Sequence, residues 1–578
     1  MLVYGDQDRL EPAEEIRTEV RARLRRAAGC SGLERHAALV GAFIRAAELA
    51  QAEADALFAR EGRDRRSDGQ DGAARLLCAL GGAIDRSWTS GFQAGFDPGA
   101  AIRALVGPRD DAPVRTRRAE GYAFYALYPE AVIAAAHHCG LGADTRLIGI
   151  RSIGLGLAAL VAAALAAAPP VSLRPVGHPF RRTIAAAPEL ARDLVAAAGE
   201  APFGIADEGP GLSGSSFAAV AAWLEEEGVA PSRIHFFPSH DSPPGPAADA
   251  AIRARWRAAP RHPAQFSTIL RADVAGGGLA GWIAGLVGPL DAPLEDISGG
   301  GWRRHGPHRD APFDPRLERR KFLVRSAGGV WLARFAGLGA SGEAALERAL
   351  ALHRAGFVPE PAGLVHGFLV ERWVAGAPLT GGTADRQRLV EHLGRYLGFR
   401  ARALPASSEG AAPAALAAMA RHNVETALGR DVAAALDRRL GPLDESARGA
   451  ACVDTDNRMH RWEWLVTAGG TILKTDAVDH AHGHDLIGCQ PVEWDVAGAI
   501  VEHELTATER DRLVAIVAEE AGGCSPALVA ALLPAYLAFQ LGLWTMAAEA
   551  GAEEGAAARA AAVARYENGL RALVAEAV

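Results

Sequence analysis

The sequence predicts a multidomain α/β protein. Residues 1–118 form a helical N-terminal region, 119–275 a doubly wound parallel-sheet domain, and 290–578 a C-terminal α+β domain. Three observations predict this. A chain of 578 residues exceeds what one core organises, and about three domains is the expectation. Between residues 146 and 239 short apolar runs alternate with helical stretches, the pattern of a parallel sheet with crossover helices. Further on, two pairs of apolar runs flank Gly-Gly turns and read as hairpins within otherwise helical sequence.

The elements follow in order. ERHAALVGAFIRAAELAQAEADALFARE, Glu34 to Glu61, has apolar residues at helical spacing. The polar segment EGRDRRSDGQDG interrupts it, more helical pattern follows, and the loop VGPRDDAPVRTRR closes the region. RLIGIRS (146–152), PVSLRPV (170–176), FGIAD (203–207) and RIHFFPS (233–239) read as buried strands, with helices over 187–198 and 216–227. Residues 240 to about 300 are rich in Pro, Gly and Ala and read as containing a linker. The two hairpins are KFLVRSAGGVWLARF (321–335) and WEWLVTAGGTILKTDA (462–477).

Composition narrows the class. The formal charge of -8 argues against nucleic acid as the main partner. Only Lys321 and Lys474 are lysines, so Arg abundance reflects coding bias and carries little weight. The six cysteines form no CxxC, which suggests neither a disulfide framework nor a zinc knuckle. The N-terminus lacks a basic region followed by an apolar run, and the uncharged run Ile153–Ala168 is short for a membrane span. A cytoplasmic protein without membrane association is expected.

The first candidate site is FGIADEGPGLSGSSF, Phe203 to Phe217. Asp207 and Glu208 end a buried strand, where ligands bind in parallel sheets. Gly211 and Gly214, with Gly209, free the backbone to approach a ligand. Ser213, Ser215 and Ser216 offer hydroxyls where the next helix begins, a place suited to phosphate. The strand, acidic pair and hydroxyl-rich loop resemble the phosphoribosyl diphosphate signature of type I phosphoribosyltransferases, in the divergent form found in tellurite-resistance-type gene clusters. GPG intervenes here and Ser replaces Thr. GIRSIGLGLAA resembles the family's diphosphate loop, which implies Arg151, Ser152 and Gly154 near the anion. RPVGHPFRR stands where the family has a mobile loop, which implies Arg181 and Arg182 on diphosphate oxygens. Glu120–Glu130 (EGYAFYALYPE) is either core or an aromatic hood over a base.

The second candidate site lies in 290–578. The hairpin, a helical segment with Glu343 and Glu347, and FLVERWVAGAPL resemble the small lobe and hinge of aminoglycoside phosphotransferase-like kinases, implying a two-lobed kinase-like domain. The resemblance implies Arg334, in place of the usual Lys, on nucleotide phosphates and paired with Glu347 or Glu343. It implies Glu371 to Trp373 as the hinge that meets adenine, Asp476 and Glu463 as metal ligands, and Asp454 or Asp456 as the catalytic base in a loop without HGD. Asp495 matches the family's structural Asp, and Lys474 is a candidate phosphate contact. His480, His482 and His484 fall on one side if the segment is extended, and with Asp479 and Asp485 they are a candidate transition-metal cluster.

The sequence thus predicts an enzyme that moves phosphoribose from phosphoribosyl diphosphate to a small-molecule or base acceptor, coupled to an ATP-dependent kinase-like domain, with Mg2+ as cofactor. One alternative is a small-molecule kinase whose transferase-like domain only binds nucleotide; another is a non-catalytic nucleotide sensor. The acceptor is unknown, and a homodimer is one option for assembly.

Overall fold

A computed structural model describes residues 1–575 except 6–7, 106–112, 152, 380–385, 407, 442 and 552. The N-terminal region is built on the long helices Ala13–Gly29, Gly32–Glu61 and Asp68–Thr89. The middle one ends on Gly62 at φ 70°, a left-handed residue that closes the last turn. One expectation changes here. Pro113–Arg117, within the closing loop, is a strand paired antiparallel with Asp8–Pro12. Its period-two alternation of Val114 and Thr116 against Arg115 and Arg117 is too short and too basic to stand out.

The parallel sheet is present. Its strand order is Val171–Leu173, Arg146–Ile150, Phe203–Ala206, Ile234–Phe237, with every pairing parallel. The helix Gly154–Leu165 packs so tightly on it that a Cβ at Gly154 would lie 2.2 Å from the Ala206 carbonyl oxygen. The segment read as a mobile basic loop is ordered instead. Pro175–His178 and Arg181–Ile184 form a two-stranded antiparallel hairpin. The supposed linker is also structured: it contains the helices Ala250–Ala258, Ser267–Leu270 and Gly278–Val287, which bury Trp256, Ile269 and Trp282. Its Gly and Pro mark the breaks between short helices rather than free chain.

In the C-terminal half, an antiparallel sheet has the order Pro361–Val365, Phe368–Arg372, Gly329–Phe335, Lys321–Ser326, Glu295–Asp296. Strand periodicity divides its side chains. Phe322, Val324, Trp331, Ala333, Phe335, Phe368 and Val370 join one buried cluster with Phe43, Leu77, Ile84, Tyr128 and Leu160. The sheet therefore turns its apolar face to the N-terminal helices and to the helix Pro129–His137. Lys321, Leu332, Arg334 and Glu371 line a cleft on its other face.

The rest of the C-terminal half is helical around the hairpin Trp464–Val466/Ile472–Lys474. Its central helix, Pro526–Glu549, is uncharged until its last residue and long enough to cross a membrane by length and composition. Of its most apolar window 83% is buried against the neighbouring helices, the pattern of a core helix.

Candidate functional site

The cleft, of about 200 Å³, lies between the antiparallel sheet and the Trp464–Lys474 hairpin. Lys321 and Arg334 stand directly opposite each other on adjacent antiparallel strands, so both project from the cleft face. Both reach Asp476: Lys321 Nζ is 3.4 Å from Oδ2 and Arg334 Nη1 is 3.3 Å from Oδ1. Arg334 also lies 3.4 Å from Asp479 and 3.8 Å from Glu371, and its Nη2 is buried with no hydrogen-bond partner. Burial works against the charged form of each group, but the opposite charges outweigh it. Lys321 and Arg334 are held above their ordinary values, and Asp476 well below its own. Asp476 has φ 53°, a left-handed conformation that is strained for a non-glycine residue and typical of functional turns.

Behind the cleft the loop 454–457 is pinned by Asp495. The backbone N–H groups of Asp456 and Asn457 donate to its two carboxylate oxygens at 2.7 and 2.9 Å. Burial, with Asp456 nearby, pushes Asp495 up to about 7. Asp456 is 1% exposed, accepts a hydrogen bond from the Tyr396 hydroxyl, and lies 3.4 Å from Lys474 Nζ. Lys474 is fully buried. Its ammonium donates to Glu463 Oε2 at 2.6 Å and to the carbonyls of Thr475 and Asp476 at 3.0 and 3.3 Å.

Several expectations change accordingly. Arg334 is not paired with the helix Ala340–Arg354: Glu347 is exposed, and Glu343 pairs with Arg23 and Arg26 of the N-terminal region. The helix residue that turns inward is Arg348, which meets Asp454 at 3.3 Å. Asp454 is enclosed by Arg348, Arg400 and His482, away from the cleft. Asp456 does not line the cleft either, because Lys474 and His480 stand in front of it. Lys474 is an internal counter-ion and not a phosphate contact.

Glu463 lines the cleft but is already neutralised by Lys474. The three histidines diverge. His480 meets Asp456, His482 meets Asp454, and His484 meets Tyr125 and Glu120. The segment is a short 3-10 turn rather than extended, which spreads the side chains.

Two residues take tasks that the sequence did not assign to them, and His480 matters most. Its Nδ1 is 3.3 Å from Asp456 Oδ1 and its Nε2 is 3.9 Å from Asp476 Oδ1, so it joins the pinned loop to the cleft. Lys321 is the second. Rarity of lysine drew attention to it, but its role needed the strand register. Asp476, Asp479 and His480 hold ligand atoms within 4.8 Å of one another, a donor set that fits one divalent cation. Glu463 forms a second such set with Asp456 and His480, and Lys474 Nζ donates to its Oε2 at 2.6 Å. Trp302, Trp373, Trp462 and Trp544 line the cleft, as does Glu371.

At the carboxyl end of the parallel sheet, Asp207 and Glu208 sit at the end of Phe203–Ala206. Burial pushes Asp207 up to about 7 and Glu208 well above the usual carboxylate range, and Glu208 Oε1 is buried with no hydrogen-bond partner. The expected phosphate cradle is largely committed elsewhere. Arg151 is 2% exposed and bound to Asp55 at 2.8 Å, to Asp64 and to Ser172. Gly154 is needed for helix–strand packing, and Ser152 lies outside the described residues.

Ser215 donates to the Pro179 carbonyl in the hairpin turn, and Ser213 lies 2.9 Å from Ser215. Gly211 and Gly214 have positive φ, and a Cβ at Gly214 would meet Pro244 and Ile252 at 2.8 Å. Arg181 is exposed, while Arg182 and Ser216 are half-buried. Tyr122 and Tyr128 are core residues, and Tyr125 is the exposed member of the aromatic segment.

No family model matches the chain, and no curated protein matches it by sequence. About half of it is similar in structure to small-molecule kinases. The choline kinase LicA from Streptococcus pneumoniae is 14% identical, covering 44% of this chain and 89% of that one at a TM-score of 0.30. A choline/ethanolamine kinase family protein from Mesorhizobium loti is 16% identical, covering 50% and 92% at 0.31. An aminoglycoside phosphotransferase from Alicyclobacillus acidocaldarius is 14% identical, covering 44% and 90% at 0.29. These likenesses carry no argument about chemistry, which the side chains must supply.

Proposed function

We propose that the chain is a small-molecule phosphotransferase that uses ATP and Mg2+ in the cleft between the antiparallel sheet and the Trp464–Lys474 hairpin. The observation that carries this reading is the convergence of two strand-borne cations, Lys321 and Arg334, on Asp476 at the cleft wall. Lys321 and Arg334 hold phosphate oxygens, and the unpartnered Arg334 Nη2 is free to do so. Asp476 and Asp479 would hold the metal through carboxylate oxygens, the donors Mg2+ takes, and when bound it would neutralise phosphate charge. The 371–374 segment meets the adenine.

His480 takes the proton of the acceptor hydroxyl at Nε2, while Asp456 orients the ring through Nδ1. The tryptophan walls favour an acceptor that carries a cationic group as well as a hydroxyl. The test is calorimetry with ATP and Mg2+, followed by turnover on amino alcohols and aminoglycosides. Asp476→Asn is expected to weaken Mg-ATP binding at least about tenfold, roughly 1.4 kcal/mol. Unchanged affinity would remove the cleft as the nucleotide site. Tight binding without turnover of any acceptor would return the sensor alternative.

A second reading rests on Glu208. A carboxylate with one buried, unpartnered oxygen beside Asp207 at a parallel-strand end suits the hydroxyls of a sugar phosphate. Phosphoribosyl diphosphate with Mg2+ is then expected to bind wild type and not Asp207→Asn. Absence of binding to folded wild type would end this reading and leave the phosphotransferase one untouched.

A further inference from the structure

His36, Glu130 and His366 come from three distant parts of the chain and meet in one fully buried place. His36 lies on the helix Gly32–Glu61, Glu130 in the first turn of Pro129–His137, and His366 in the turn between Pro361–Val365 and Phe368–Arg372. The side chains of His36 and Glu130 are 0% exposed and that of His366 1%. Both histidines present Nε2 to the same oxygen, Glu130 Oε1, each at 2.6 Å. Trp88, Phe92, Tyr128 and Trp282 surround them.

We propose that this His–Glu–His triad is a structural site for a transition-metal dication, zinc by preference. Two nitrogens and a carboxylate in a closed apolar shell are the donors that such an ion takes. Two further observations point the same way. Glu130 Oε2 is buried without any partner, so the carboxylate has a second oxygen to give. His36 Nδ1 lies 3.0 Å from the Ser87 hydroxyl, an outer contact that turns Nε2 toward the site.

Ligand atoms about 2.0–2.1 Å from zinc stand roughly 3.3 Å apart in a tetrahedron, so each 2.6 Å contact opens by less than 1 Å on loading. A site this enclosed fills as the chain folds. The ion then ties the N-terminal helices, the Pro129–His137 helix and the antiparallel sheet to one point.

The test uses the full chain expressed with zinc and dialysed against a chelator. Elemental analysis is run on wild type, Glu130→Gln, His366→Asn and Asp476→Asn. About one zinc per chain is expected in wild type and in Asp476→Asn, with at least a tenfold loss in the other two and a lower melting temperature for the stripped protein. If both triad variants fail to fold, the cobalt-refolded wild type decides. Intense tetrahedral visible bands support the site, and the weak bands of a six-oxygen ion overturn it. Zinc lost with Asp476→Asn but kept in the triad variants places the ion in the cleft and overturns the proposal. So does a wild type that neither retains nor rebinds metal.

Discussion

At the scale of single residues, buried charge decides most of what the cleft can do. Lys474 is the clearest case, because its ammonium is the shared counter-ion of Asp456 and Glu463. Removing one partner of a buried ion pair typically costs about 3–5 kcal/mol, since the remaining charge is left unpaired. Lys474→Met is therefore expected to destabilise by that order in urea unfolding, with part regained in Lys474→Met/Glu463→Gln. An unchanged midpoint for the single variant would mean that the ammonium is not an essential counter-ion.

Asp207 gives a pH-dependent prediction. Burial pushes its carboxyl up to about 7 from an ordinary value of 3.8. With the folded value above the unfolded one, its contribution is full below about pH 4 and is lost as pH rises through about 7. Asp207→Asn removes that loss while keeping an oxygen for the Glu208 N–H. At pH 8 the variant is expected to be more stable than wild type by about 2 kcal/mol, half of the full shift because the side chain is only partly buried. The gain should vanish below pH 4, and equal midpoints at pH 8 would refute the burial argument.

At the scale of elements, close backbone approach sets the geometry. The helix Gly154–Leu165 starts where a single methyl would strike the Ala206 carbonyl, on the strand that presents Asp207. Gly154→Ala is expected to cost about 3 kcal/mol, at the upper end for overpacking. A Tm within 1 °C of wild type would show that the packing yields. The loop 454–457 is held differently, by two N–H groups on one carboxylate. Asp495→Ala orphans both, at about 1–3 kcal/mol, and frees Asp456 from His480. Hydrogen exchange of the Asp456 and Asn457 amides should accelerate by at least tenfold. Unchanged protection would assign their order to something other than Asp495.

At the scale of the whole molecule, the apolar face of the antiparallel sheet has no cover among the described residues of 290–578. It is covered by helices of the N-terminal half. Exposing Phe322, Val324, Trp331, Phe335 and Phe368 would cost about 1.5–3 kcal/mol each, a sum comparable with the stability of a domain. A fragment spanning 290–578 is therefore expected to aggregate under conditions that keep the full chain monodisperse. A monodisperse fragment with a cooperative melting transition, seen by light scattering and calorimetry, would contradict this.

The sequence by itself determined the elements whose signals are local. The four parallel strands and the two hairpins appear where apolar runs and Gly-Gly turns placed them, within a few residues. Asp476 drew attention because it ends a short apolar strand, and Asp495 because its segment resembles one of the kinase-like family. Other features were decided only by tertiary structure, because they depend on what lies opposite. The register Lys321↔Arg334 brought a second cation to the cleft wall from an ordinary strand residue. A 3-10 turn brought His480 to Asp456 while sending His482 and His484 elsewhere. Arg151, which sequence placed on an anion, met Asp55 and Asp64 from a helix and loop nearly a hundred residues earlier. A charge shows in sequence only as a residue type, but its task depends on which opposite charge the fold brings within a few ångströms of it.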